Sequence, residues 1–227
     1  MINERTTGHI VKIDESGAAT ITAVLPNLFH ACDRKYDTVE IILPDGRRIS
    51  PEQRRKIYAL LGEIAEFVDG VRNAETVEDA KNVMKWEFVL KRMESQERKL
   101  FSLSDCDMTT AREFITYLIE FIIKNDIPTK VSLLEHCEDV GRYVLACLYS
   151  RKCCVCGKHA DVHHVTGSKI GAGNNRDEVH HLGREVLPLC REHHEICHND
   201  EKSFIEKYHL EPIELTAELC KKLHLKA

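Results

Sequence analysis

The chain is 227 residues long with a mass of 26.0 kDa, a size that suits one large domain or two modest ones, because single cores stop growing near roughly 250–300 residues. Hydrophobic residues at 43%, charged residues at 30%, and only 11 Gly and 6 Pro exclude a collagenous, low-complexity or wholly disordered chain. A formal net charge of −5 does not by itself point to nucleic acid, and the longest apolar stretch, Phe114 to Ile123, runs ten residues and contains Glu120, against the roughly 20 apolar residues a spanning helix needs.

The first residues, MINERTTGHI, carry charges of both signs and no apolar h-region. No secretory signal is expected, and the chain is assigned to the cytoplasm. Strand-like runs at His9–Ile13 and Ala18–Leu25 flank Asp14-Glu15-Ser16-Gly17, which reads as a hairpin turn. A third strand, Val39–Leu43, precedes the turn Pro44-Asp45-Gly46. Ser50, Pro51 and Gln53 supply an N-cap, a proline at the first helical position and a capping-box partner. Ile57, Leu60, Leu61, Ile64 and Val68 then mark the buried face of that helix. A second helix is expected over Thr76–Met93. Thr110-x-x-Glu113 reads as another capping box, before a stripe of Phe114, Ile115, Leu118, Ile119 and Ile122 that Ile127-Pro128 ends. A last helix over Ser132–Tyr149 leads to a domain boundary near residue 150. The expected class is α+β: a mixed N-terminal domain, 1–150, and a small zinc-braced domain, 151–227.

Arg47, Arg48, Arg54, Arg55 and Lys56 place five positive charges within ten positions, a phosphate track in an otherwise acidic region. Tyr58 and Trp86 are of the type that stacks on bases, although their helical spacing favours a place in the core. The stretches PDGRRISPEQRRKIYALLGEIA, KWEFVLKRM and FSLSDCDMTTAREFITYLIEFI resemble the phage recombination-mediator family of NinB/Orf type, over about the middle third of the chain. That resemblance implies contact with single-stranded or branched DNA or with single-strand-binding protein, a homodimer, and work in a bacterial host cytoplasm.

The final third is compositionally distinct: residues 151–227 hold 10 of the 13 His and 6 of the 10 Cys. In a reducing cytosol such cysteines argue for thiolate metal ligands and buried thiols rather than a disulfide framework. Cys153-x-x-Cys156 and Cys190-x-x-His193 together form the Cys3His set of a closed tetrahedral zinc site. Residues 157–189 separate the two pairs, far more than the about 12 of a DNA-reading zinc finger. A β-like run ending at His163-His164 and another at Glu185–Leu189 fit a hairpin in that interval. Residues 190–199 read as a helix on which His194 and His198 share a face, with His193 about 100° away. Cys154 and Cys197 are read as packing thiols, and His180-His181 as part of a solvated loop, Gly167–Gly183, with DNA phosphate as the other use.

This strand, strand, helix pattern, with His163-His164, Glu185, His194 and His198 at its key places, resembles the HNH or ββα-metal nuclease family in its version with a flanking zinc. The resemblance implies that His163, His194 and His198 hold one divalent cation (Mg²⁺, Mn²⁺, Ni²⁺ or Zn²⁺), that His164 is the general base, and that Glu185 takes the place where the family usually has Asn. The function expected is metal-dependent cleavage of DNA in phage or prophage recombination. The competing expectation is a non-catalytic mediator that uses zinc only as a staple.

Overall fold

The computed structural model describes residues 8–25, 28–33, 41, 46–92, 101–165 and 180–226. It opens with β1 (Gly8–Ile13) and β2 (Ala19–Ala23), an antiparallel hairpin. Asp14 makes the turn, its Oδ1 accepting the amides of Ser16 and Ala18 at 2.9 and 3.0 Å, while Gly17 takes the left-handed conformation at φ 85°. Helix α1 (Leu28–Asp33) follows. The strand expected at Val39–Leu43 lies outside the described residues except for Ile41.

Helix α2 (Pro51–Asp69) starts where its cap residues dictate: Gln53 N–H donates to Ser50 Oγ at 3.0 Å and Ser50 N–H to Gln53 Oε1 at 3.1 Å. Ile57, Leu60, Leu61 and Ile64 are buried as expected. Val68, on the same stripe, is 66% exposed, because the buried run ends at Ala65, five residues before the left-handed cap at Gly70. Helix α3 (Ala74–Arg92) begins two residues early, where Asn73 and Thr76 exchange side-chain and amide bonds of 3.1 and 2.9 Å. The core expectation for Tyr58 and Trp86 is corrected: they are 38% and 47% exposed. Met84 and Phe88 point inward from α3, so Trp86, two positions from each, faces away; Tyr58 lies one position past buried Ile57.

Helix α4 (Met108–Lys124) is the centre of the core, with Phe114, Ile115, Leu118, Ile119 and Ile122 buried. Its cap is Asp107 rather than Thr110: the Asp107 carboxylate accepts Thr110 N–H at 2.8 Å and Thr110 Oγ1–H at 2.6 Å, so the helix starts a turn before the motif read as its beginning. The expected helix over Ser132–Tyr149 is two: α5 (Leu133–His136) and α6 (Val140–Tyr149). Cys137 is extended at ψ 148°, and the Asp139 side chain captures Arg142 N–H at 3.0 Å, opening a new helix instead of continuing the old one.

Beyond residue 150 lie β3 (Asp161–His164), β4 (Glu185–Leu189), α7 (Arg191–Asn199), α8 (Glu201–Tyr208), β5 (Ile213–Glu214) and α9 (Ala217–Leu223), with the strands in antiparallel order β3-β4-β5. The class is α+β. One buried cluster runs from Ile57, Phe114 and Ile119 through Tyr143 and Cys147 to Cys153, Leu187, Cys190 and Phe204. Tyr143 reinforces that continuity by donating its hydroxyl to Cys154 O at 2.9 Å. A smaller cluster of Leu148, Val186, Leu215, Leu219 and Leu223 fills the other face of the sheet. No described helix is long and apolar enough to cross a membrane.

Candidate metal centre

Two turns aim the sulfur ligands. Cys153 N–H donates to Lys158 O at 2.7 Å and Gly157 N–H to Cys153 O at 2.8 Å, with Gly157 at φ 72°, folding the C-x-x-C segment back on itself. Cys190 sits at the N-cap of α7, where its carbonyl accepts His194 N–H at 2.8 Å and its side chain makes no cap bond. His193 is then one turn into the helix. The four ligand atoms of Cys153, Cys156, Cys190 and His193 lie within 4.8 Å of one another. Cys153 Sγ is 3.6 Å from His193 Nδ1, Cys156 Sγ 3.6 Å from Cys190 Sγ, and Cys190 Sγ 3.1 Å from His193 Nδ1. Zinc bonds of about 2.3 Å to sulfur and about 2.0 Å to nitrogen give tetrahedral edges of roughly 3.5–3.8 Å, so the cluster fits zinc.

The protonation states of Cys190 and His193 suit the same ion, whereas Cys156 has to shed a proton to bind it. Burial drives the Cys156 thiol up to about 12, helped by the neighbouring sulfurs. Burial also acts to raise Cys190, but the amide of His193 and the Cys156 and Cys153 sulfurs outweigh it and hold that thiol below its ordinary value. Burial keeps His193 below the usual imidazole value, and therefore neutral with a lone pair to give at pH 7. Cys154 is fully buried, its thiol pushed far up by desolvation, and its amide donates to Pro188 O at 3.0 Å.

The adjacent face of α7, about 100° around, carries imidazoles. Strand β3 presents His163, only 1% exposed, against His194 and His198 one turn apart on α7. The three ring centroids are 4.5, 4.7 and 4.8 Å apart, and the rings stand nearly perpendicular, at 73–87°. Their nitrogens form a second group within 4.8 Å. A neutral nitrogen donor set of this kind suits a divalent transition metal. His198 also lines a cleft of about 630 Å³ that runs along Asp200, Glu201 and Lys202.

Two donors missed in the sequence join His163. Glu201 Oε2 lies 3.1 Å and Cys197 Sγ 3.4 Å from His163 Nε2, and the three make a further ligand group. Cys197 is thus buried, as a packing thiol would be, yet in contact with a proposed ligand. Glu201 follows His198 by three positions but opens the next helix, so its approach to His163 is set by tertiary packing and left no signal in the sequence.

Strand alternation turns His164 to the face opposite His163. There His164 Nε2 meets His181 Nδ1 at 3.0 Å. His181 is 1% exposed, which corrects the reading of His180-His181 as solvated; only His180 is exposed. Glu185 is exposed at the start of β4, outside all three ligand groups, and contributes a backbone bond beside the histidines, Val165 N–H to Glu185 O at 3.1 Å. The basic residues divide. Arg47, Arg48 and Arg55 are exposed. Arg54 donates Nε and Nη2 to the carbonyls of Leu103 and Ser104, both at 2.9 Å, and Lys56 lies 3.3 Å from both Glu52 and Glu138.

A β-hairpin packed on a helix, with imidazoles from both converging and a Cys/His cluster that fits zinc at the start of that helix, gives a ββα-metal arrangement. The family model described as "Putative HNHc nuclease" matches residues 31–226. The chain belongs to that HNH nuclease family. No curated protein and no solved structure matches it.

Proposed function

We propose that the chain is a metal-dependent DNA endonuclease of phage or prophage recombination, with His163, His194 and His198 holding the reactive cation and Cys153, Cys156, Cys190 and His193 a structural zinc. The observation that carries this reading is the convergence of the three imidazoles at 4.5–4.8 Å. A divalent cation bound there supplies Lewis-acid stabilisation of charge on the phosphoryl oxygens and the departing 3′ oxygen. The protein does the rest. His164, next in the chain to a ligand, takes a proton from the attacking water, a task suited to an imidazole near neutral pH. The hairpin and α7 fix ligands and base on two packed elements, so water and phosphate meet already oriented. The products are a 5′ phosphate and a 3′ hydroxyl.

Residues 1–150 serve, in this reading, to bind single-stranded or branched DNA or single-strand-binding protein, with Arg47, Arg48 and Arg55 as the exposed cations. Arg54 and Lys56 brace that surface through the carbonyl and carboxylate contacts they make. Glu185 contributes through its carbonyl.

The test is cleavage of matched linear, forked and four-way DNA with Mg²⁺, Mn²⁺, Ni²⁺ or Zn²⁺, by the wild type and His164→Ala. Loss of cleavage in the variant, at unchanged folding and zinc content, supports the assignment. Intact cleavage by the variant removes the base, and one bound metal per chain with no hydrolysis under any condition leaves the zinc-stapled mediator.

A further inference from the structure

We infer that His181 is a positioning residue that holds the proposed base in its reactive tautomer, an inference that rests on the nuclease reading. The contact is short, 3.0 Å between His164 Nε2 and His181 Nδ1, with ring centroids 5.1 Å apart. Two neutral imidazoles in such a contact share one proton: one nitrogen donates and the other accepts. If His181 donates, the His164 proton stays on Nδ1 and no lone pair remains for water. If His164 donates from Nε2, its Nδ1 carries the lone pair a base requires. The bond made by one ring nitrogen sets the state of the other.

The partner is built to stay in place. His181 is 1% exposed. Its amide donates to Lys226 O at 2.8 Å, and its carbonyl accepts Arg184 N–H at 3.1 Å. Two backbone bonds of 2.9 Å, Gly183 N–H to Leu215 O and Leu215 N–H to Arg184 O, fasten the same turn to the link between β5 and α9. This turn is the last stretch of the β3–β4 connection, leading directly into β4, and His181 is not a member of any of the three ligand groups among the described residues. The acceptor is therefore held by backbone bonds to the C-terminal segment, and the base is oriented before substrate arrives.

Two substitutions separate hydrogen bonding from packing. His181→Leu keeps apolar volume and has no acceptor. His181→Asn places Oδ1 the same number of bonds from Cα as the imidazole Nδ1 and restores one. With zinc-loaded protein, DNA and Mn²⁺, His181→Leu is expected to lower kcat by at least about tenfold, as loss of an orienting partner does, with KM and Mn²⁺ affinity by calorimetry unchanged. His181→Asn is expected to recover most of that loss. Wild-type kcat in His181→Leu, or no recovery in His181→Asn, overturns the inference and leaves the nuclease reading intact. A readout independent of cleavage is the ¹⁵N resonance pattern of the His164 ring, assigned by its disappearance in His164→Ala. Nε2–H in the wild type and in His181→Asn, with a tautomer mixture in His181→Leu, supports the inference. Nδ1–H in the wild type, or one pattern in all three, overturns it. Absence of cleavage by the wild type refutes the nuclease reading, and the resonance pattern still decides the role of His181.

Discussion

At the scale of single residues, the proposed cation site turns on His163. It is almost fully buried, it faces two imidazoles, and its Nε2 lies 3.1 Å from Glu201. A carboxylate against a ligating histidine fixes the ring and raises its basicity, and loss of such a partner typically costs about 10- to 100-fold in metal affinity. Glu201→Ala is therefore expected to weaken Mn²⁺ binding by that factor in calorimetry, with zinc content by mass spectrometry of the intact protein unchanged. The sulfur cluster has its own signature. The Cys156 thiol, raised to about 12, is protonated at pH 7 without metal and must lose that proton to bind zinc. Mass action then requires zinc affinity to rise with pH and binding to release protons. Titrations of the metal-free chain with Zn²⁺ in buffers of different ionisation enthalpy will show the release directly; buffer-independent heats would contradict it.

At the scale of elements, α7 is nine residues long and serves two clusters because adjacent side chains leave a helix about 100° apart. That geometry was legible in the sequence: Cys190, His193, His194 and His198 occupy one short segment, and local spacing decides which side each takes. Helix α2 was legible for the same reason, since Ser50 and Gln53 satisfy each other's amides within one turn. Where two local caps compete, sequence reading falters. Thr110-x-x-Glu113 resembles a helix start, but Asp107, a stronger N-cap three residues earlier, accepts from both the amide and the hydroxyl of Thr110. Asp107→Ala should lower stability by about 0.5–2 kcal/mol, read as a fall in the urea midpoint at constant slope. Asp139 likewise divided an expected single helix. Glu201 and His181 were illegible for another reason. Each meets its histidine through tertiary packing, His181 because its amide is fastened to Lys226, forty-five positions away in the chain.

At the scale of the whole molecule, the proposed division of labour near residue 150 crosses a continuous interior. The segment carrying Cys153 packs into the same buried cluster as α2, α4 and α6, and Tyr143 ties α6 to the Cys154 carbonyl. Metal binding at a site that needs folded ligands is folding free energy, and a shared core passes that stabilisation across the boundary rather than confining it to the C-terminal third. Trp86, the single tryptophan, stands on α3, an element with no zinc ligand, so its fluorescence reports on the N-terminal part alone, while far-UV circular dichroism reports on both. In urea, the zinc-loaded protein should show coincident transitions by the two probes. Removing zinc with a chelator should shift both midpoints down together, because a single cooperative unit has no intermediate to separate them. Tyr143→Phe leaves a buried carbonyl without its hydroxyl donor, at a cost of about 1–3 kcal/mol, and should lower both midpoints in the same way. If zinc removal leaves the Trp86 transition in place while the ellipticity loss splits in two, the two parts fold independently and the interior they share contributes little coupling.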